Sequence, residues 1–381
     1  MPNQFKILVD GINSLQATQG KLLEVIWTDR KATVNDCLIV QSLIKQSPQL
    51  ESLKLSDLDM TDSGLAQIHQ ALVPTHPRTN QFHPSMSSSP FLVSLDLNRN
   101  KLGSSDLIGD IVRWTRLEKV LLVRNNLRSP GLIGICDALT WNPVHLKHLD
   151  LTSNSICPLG AKRMAQILGK DRIGLMKLGL GYNLLGDVGC QFICRALTRG
   201  DLVNCNRGHQ SQSRLQELNL SHNQITDAAV PVICSMIRNN VGLQTLNLSH
   251  NFFTEAGAAE IVKALGENIS LTKVTIRSRI LHQSSLLVQQ IESICKRNQD
   301  HLQSLSCSIP SSLKLLLLRS FLPTELLSMI LGYHTDHLSS RDQNLVYSLL
   351  LDKDRHLGLV KSDNVFSHLS FLTLCSNSKN N

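Results

Sequence analysis

The segment LQELNLSHNQI at residues 215–225 returns almost unchanged as LQTLNLSHNFF at residues 243–253. Repetition at a fixed period constrains a fold more than any local motif, because every copy must adopt one local structure and pack against copies of itself. The pattern LxxLxLxxNxL, with conservative exchanges, starts at Leu22, Leu50, Leu92, Leu117, Leu146, Leu175, Leu215, Leu243 and Leu271. A spacing of 28 or 29 residues recurs. The two long gaps, 42 residues from Leu50 to Leu92 and 40 from Leu175 to Leu215, each read as one unit plus an insertion.

Within each unit the xLxLx stretch alternates with period two, as a short strand does when one face is buried. Further along, the spacing turns helical: Ala161, Met164, Ala165 and Leu168 fall at i, i+3, i+4 and i+7. A glycine precedes this stripe in five units, at Gly64, Gly131, Gly160, Gly189 and Gly257. Each unit is therefore expected to be one strand and one helix. A single unit cannot cover its own apolar face, so neighbours must stack, giving an α/β solenoid with a parallel concave β-sheet and convex helices.

Asparagine holds the ninth place of six units, at Asn100, Asn125, Asn154, Asn183, Asn223 and Asn251. There the chain leaves the strand, and a buried amide both donates to and accepts from the backbone of adjacent turns. These residues resemble the ribonuclease-inhibitor-like leucine-rich repeats, and the resemblance implies a horseshoe of about nine repeats over residues 22–300. Arg30 and Arg279 stand where asparagine is expected in the end units, and Leu58 does so in the second. Residues 1–21 are expected to cap the first repeat, and a small helical region should follow over 301–375, with a flexible tail at 376–381.

Several function classes are excluded by the rest of the sequence. Aromatic residues make up only 4%, so the core must come from aliphatic layers. The longest apolar run, Leu313 to Leu322, contains Arg319 and is far shorter than the roughly 20 residues of a membrane span. With no signal peptide and no CxxC pair among the ten cysteines, the reading is a cytoplasmic protein without metal site or cofactor. Cys37, Cys136, Cys190, Cys194 and Cys234 take helix places held elsewhere by small apolar residues, so they are expected to be core and not catalytic. Bacterial ubiquitin ligases with similar repeats carry a catalytic cysteine beside an aspartate in a separate domain. Here the nearest candidate, Cys136 followed by Asp137, falls on a repeat helix, so a cysteine-dependent ligase is the third reading.

Function is expected on the concave face, where outward residues form columns from unit to unit. The fifth column reads Ile26, Lys54, Asp96, Leu121, Asp150, Gly179, Asn219, Asn247, Thr275. The eighth reads Asp29, Asp57, Arg99, Arg124, Ser153, Tyr182, His222, His250, Ser278. Signs are mixed although the net charge is +8, which suits a protein partner and not a nucleic acid. The candidate partner-binding residues are Arg99, Lys119, Leu121, Val123, Arg124, Asp150, Lys177, Tyr182, Asn219, His222, Asn247 and His250. Among them Leu121 and Val123, flanked by Arg124 and Arg99, have the make-up of an apolar anchor ringed by polar groups. His222 and His250 find no third ligand in their column, which holds Tyr182 and Ser278 on either side.

Two polar insertions, near 73–90 and 200–213, precede strands and should emerge on one rim. After the repeats, LPTELLSMILGY resembles the opening of an F-box, with Leu322, Pro323, Leu326, Leu327 and Ile330 as the matching residues. That resemblance implies a second function, recruiting Skp1 as a ubiquitin-ligase adaptor. The layout as a whole resembles leucine-rich-repeat effectors that intracellular bacteria deliver by type IV secretion, which implies a host protein as partner and a host-cell cytosol as destination.

Overall fold

The computed structural model describes residues 24–28, 31–73, 91–104, 106–141, 145–168, 174–198, 214–277 and 285–308. Strand and helix alternate throughout: β1 (Glu24–Thr28), α1 (Val34–Gln46), β2 (Ser52–Ser56), α2 (Asp62–Leu72), β3 (Ser94–Asp96), α3 (Leu107–Trp114), β4 (Lys119–Leu121) and α4 (Arg128–Trp141). The order continues with β5 (His148–Asp150), α5 (Pro158–Leu168), β6 (Lys177–Gly179), α6 (Gly186–Leu197), β7 (Glu217–Asn219) and α7 (Val230–Asn239), which a single 3-10 turn at Asp227–Ala229 leads into. It ends with β8 (Thr245–Asn247), α8 (Glu255–Gly266), β9 (Lys273–Thr275) and α9 (Ser285–Ser308). The strands form one sheet in sequence order, and every neighbouring pair is parallel. Contact between units divides the chain into Met1–Cys295, which holds the sheet, and Lys296–Asn381, whose described part is the end of α9.

The alternation does what period two requires. The fourth-position residues Leu53, Leu95, Val120, Leu149, Leu178, Leu218, Leu246 and Val274 are buried, and so are the sixth-position residues from Leu55 to Ile276. Helix side chains close the layer from the other side, with Ile68, Ile111, Ile135, Met164, Ile193, Ile233 and Ile261 all buried. Helix starts are fixed locally: the Thr33 hydroxyl accepts from the Asp36 N–H at 3.2 Å while the Asp36 carboxylate accepts from the Thr33 N–H at 2.9 Å, a reciprocal cap for α1. The expected glycines fall inside the first helical turn, where neighbouring units leave no room for a side chain. A Cβ at Gly160 would lie 2.8 Å from Ile156 Cγ2 and 2.9 Å from Ser129 Oγ.

The asparagine row is a ladder of backbone bonds between units. Asn183 donates from Nδ2 to Leu180 O in its own unit and to Leu151 O in the unit before, both at 3.0 Å. Its Oδ1 accepts from the N–H groups of Asn154 at 3.0 Å and Ile156 at 2.9 Å. Asn100, Asn154, Asn223 and Asn251 repeat this arrangement in outline. Leu58, standing at the asparagine place, is buried, and its carbonyl accepts from Ala32 N–H at 2.8 Å.

Two further ladders are present. Asn240 and Asn268, at the helix-to-strand end, accept from the N–H groups that open the next strand and donate to carbonyls of the unit before. At the strand-to-helix end, Asp62, Asp187 and Asp227 accept from the N–H of Gly103, Thr226 and Thr254 in the following units. Ser129 and Cys157 occupy the same slot, Cys157 N–H donating to Ser129 Oγ at 3.1 Å. The thiol of Cys157 is lowered from its ordinary value, first by the Ser129 hydroxyl and also by helix-start N–H groups. Cys37, Cys136, Cys190, Cys194 and Cys234 are buried. Burial drives the Cys136 thiol up to about 12 against the opposing pull of Arg163, so the thiolate needed for nucleophilic chemistry is disfavoured there.

Candidate functional site

The residues expected to face outward do stand in rows. Strand pairing aligns Ile26, Lys54, Asp96, Leu121, Asp150, Gly179, Asn219, Asn247 and Thr275 across all nine strands. In this fifth row the acids and amides also shape the strand ends. Asp96 accepts from Asn98 N–H, Asp150 from Thr152 N–H, Asn219 from Ser221 N–H and Asn247 from Ser249 N–H, each at 3.0 Å. These are local Asx turns, in which a side-chain oxygen takes the place of a backbone acceptor. Asp150, Asn219 and Asn247 thus spend one oxygen on the framework.

The eighth row follows from that turn. Asp57, Arg99, Arg124, Ser153, Tyr182, His222 and His250 all have left-handed backbones, with φ between 52° and 64°. Side chains rarely occupy this region without compensation. Here each N–H donates to the seventh-position carbonyl of the next unit, Arg99 to Val123, Arg124 to Thr152, Ser153 to Gly181, Tyr182 to Ser221, His222 to Ser249 and His250 to Arg277. Asp57 makes the same bond to Asn98, so one backbone conformation carries seven side chains of five kinds.

At the C-terminal end of the row the rings meet. Tyr182 stacks on His222 with centroids 3.7 Å apart, and His222 on His250 at 4.2 Å, both at 17° between planes. Burial lowers the pKa of His222, and the neighbouring His250 adds to the effect. Gly179 and Gly181 are bare for a physical reason. A Cβ at Gly179 would collide with the Asp150 carboxylate, and one at Gly181 would lie 2.9 Å from Asn219 Nδ2 and Ser221 Oγ.

The N-terminal end is different. Lys119 and Arg124 are exposed, Leu121 and Val123 are half-buried, and all four project from one strand and its exit turn. Arg99 lies 3.8 Å from Asp57, and Lys177 pairs with Glu217 at 2.7 Å. Neither Lys119 nor Arg124 has an ion pair among the described residues. His148, flanked by Lys119 and Lys177, is lowered first by burial, with Asp150 opposing.

Comparison with known proteins agrees with the geometry. The family profile described as Leucine Rich repeat matches residues 88–109, 142–165 and 213–234. The chain is a leucine-rich-repeat solenoid. It is 23% identical over 244 residues to ribonuclease inhibitor from Sus scrofa, covering 59% of this chain and 51% of that one. It is 24% identical over 220 residues to NACHT, LRR and PYD domains-containing protein 14 from Mus musculus, covering 53% of this chain and 21% of that one. The chain thus spans about half or less of the length of these curated relatives. A solved structure titled leiomodin-1 actin-binding site 2 is 16% identical, with TM-score 0.37, covering 46% of this chain and 91% of that one.

The F-box-like residues Leu322, Pro323, Leu326, Leu327 and Ile330 lie outside the described residues, as do both insertions except Val73 and the ends of the eighth row at Asp29 and Ser278. Among the described residues no helix of the solenoid is long and apolar enough to cross a membrane, and no cluster of three or more His, Cys, Asp or Glu is placed to hold a metal ion. Leu159, Leu184, Val188 and Phe252 are exposed on the rim where strands pass into helices, Phe252 at 64%. Their signal in the sequence is an apolar residue at the tenth or fourteenth place, just outside the strand columns.

Proposed function

We propose that this solenoid is a non-enzymatic scaffold that binds a protein on the open face of its sheet, centred on Lys119, Leu121, Val123 and Arg124. The observation that carries this reading is the contrast within that face. Elsewhere on it Asp150, Asn219, Asn247 and Lys177 are engaged by neighbours in the fold, whereas this strand presents two half-buried aliphatic groups between two cations without ion pairs among the described residues. Apolar anchors with a charged rim are the composition of binding hot spots. The backbone beneath is fixed by parallel pairing on both sides, so little conformational entropy is lost when a partner engages. The similarity to ribonuclease inhibitor, a protein whose name records action on another protein, supports the same class of function.

The test is capture of a partner from a lysate with the intact chain and with Leu121→Asp combined with Arg124→Ala. The variant is expected to lose the captured protein while its melting temperature stays near that of the parent, and undiminished capture would remove this patch from the proposal. A host protein as partner is the finer form of the reading. It rests on the layout of the chain and is tested by the identity of the captured protein.

A further inference from the structure

From Arg99 to His250 the eighth row reads Arg99, Arg124, Ser153, Tyr182, His222, His250, and within this stretch every member but Ser153 ends in a planar group. We infer that Ser153 marks a missing rung, a slot between Arg124 and Tyr182 that receives an aromatic side chain from the bound protein. The inference rests on the sheet-face reading above and gives the partner's chemistry.

The spacing supports the slot. The backbone passes through Ser153 without a break: its φ is 64°, beside 55° at Arg124 and 54° at Tyr182. The lateral bonds Arg124 N–H to Thr152 O and Ser153 N–H to Gly181 O are both 2.9 Å. Arg124 and Tyr182 therefore stand two strand spacings apart, about 10 Å. One spacing further on, rings in the same row already stack at 3.7 Å and 4.2 Å. A ring in contact on both faces needs about 7 to 8 Å, twice an ordinary carbon–carbon contact. The gap thus holds one ring and not two.

The walls fit that occupant. Tyr182 is 53% exposed, and its row neighbour on the Ser153 side has no ring to cover it. Arg124 is exposed and without an ion pair among the described residues, leaving its guanidinium available to lie over a π face. Next to the slot on the seventh row stands Gly181, which has no side chain to block entry, and beyond Arg124 the half-buried Leu121 and Val123 offer contact to flanking apolar residues. Base stacking would use the same slot, but the fifth row carries the carboxylates of Asp96 and Asp150, so this face offers mixed signs and not the uniformly basic stripe that a phosphate backbone favours. The protein side chain is the occupant the surroundings favour.

The experiment uses the full chain and three small probes, N-acetyl-tryptophanamide, N-acetyl-leucinamide and uridine monophosphate, followed by NMR of the Tyr182 ring and the Arg124 guanidinium. The tryptophan probe is expected to shift both signals saturably and the leucine probe to leave them in place. Ser153→Tyr should abolish the response, since the row already carries tyrosine on this backbone at Tyr182, and Ser153→Ala should retain it. Tyr182→Leu should weaken binding by about threefold to tenfold, the worth of one ring-on-ring contact. An equal response to leucine, a stronger one to uridine monophosphate, or an unchanged response in Ser153→Tyr would each overturn the slot. Partner capture separates the two readings: loss in Leu121→Asp with Arg124→Ala but not in Ser153→Tyr ends the slot alone, and retention in both ends both.

Discussion

The eighth and ninth places of each unit are neighbours in sequence and opposites in use. At the ninth, one residue type recurs because the place demands it: Asn154, Asn183, Asn223 and Asn251 are nearly or fully buried and tie consecutive units together through their amides. At the eighth, arginine, serine, tyrosine and histidine succeed one another on a single backbone conformation. Such a left-handed residue costs on the order of 1 kcal/mol, and the lateral N–H bond to the next unit offsets it. The turn is thus held by the amide and the backbone alone. The eighth side chain is then free to carry recognition.

Substitutions on the buried and on the open side of the sheet should have unequal effects on stability. Leu122, fully buried in the sixth row, should cost about 2 to 5 kcal/mol on replacement by alanine, measured by denaturant unfolding. Leu121, one residue earlier and half-buried, should cost well under about 1.5 kcal/mol for the same change. Equal losses would mean that the face is packed against something in the chain and is not open. Asn183→Ala should cost about 3 kcal/mol, because it strands Asn154 N–H, Ile156 N–H and two carbonyls in the interior. A change at Tyr182 should leave stability within about 1 kcal/mol.

Much of this was legible from the repeat. Period two assigned inward and outward residues correctly in the described strands, and the asparagine row announced its own role through its recurrence. The fifth column was therefore right residue by residue from Ile26 to Thr275, and the eighth from Asp57 to His250. Other features leave weaker traces. The Asp–Thr ladder at the strand exits is written with Gly103 in one unit and with Ser129 and Cys157 in another, so no single residue type repeats. Asn240 and Asn268 stand 28 residues apart, the spacing of the repeat itself, so their ladder adds no mark of its own. The left-handed backbone of the eighth row has no compositional mark, since glycine is absent there and the compensation is a bond to the next unit. Nor does a column show that Tyr182, His222 and His250 stack, which depends on ring angle. The exposed rim residues Leu184 and Phe252 fall at a place that holds polar residues in other units, Ser155 and Gln224.

A smaller effect sharpens the account of the fifth row. Gly179→Ala places a methyl group against the Asp150 carboxylate, which the Thr152 N–H holds in position. The expected loss is about 1 to 3 kcal/mol. Adding Asp150→Ala should recover most of it, because the obstacle is one side chain and not the backbone, and a double variant as unstable as the single would place the strain elsewhere. The same pair tests recognition, since Asp150→Ala alone removes a carboxylate next to the proposed slot while leaving Leu121 and Arg124 in place.

The smallest effect is a dependence on pH. Burial, and then the neighbouring His250, hold the pKa of His222 below its ordinary value of 6.5. The unfolded chain therefore takes up this proton before the folded one does. The stability tied to a neutral His222 is complete above the ordinary value and declines as the pH falls through 6.5 toward the lower folded value. His148, lowered chiefly by burial, contributes with the same sign, so the slope belongs to both. Unfolding of the parent, His222→Gln and His148→Gln on either side of the ordinary histidine range separates them, with each variant expected to flatten part of the slope. In His250→Gln the charge of the stacked neighbour is gone while burial remains, and NMR titration should then find His222 closer to its ordinary value. No movement would mean that burial alone lowers His222 and that the ring stacked 4.2 Å away adds no electrostatic effect.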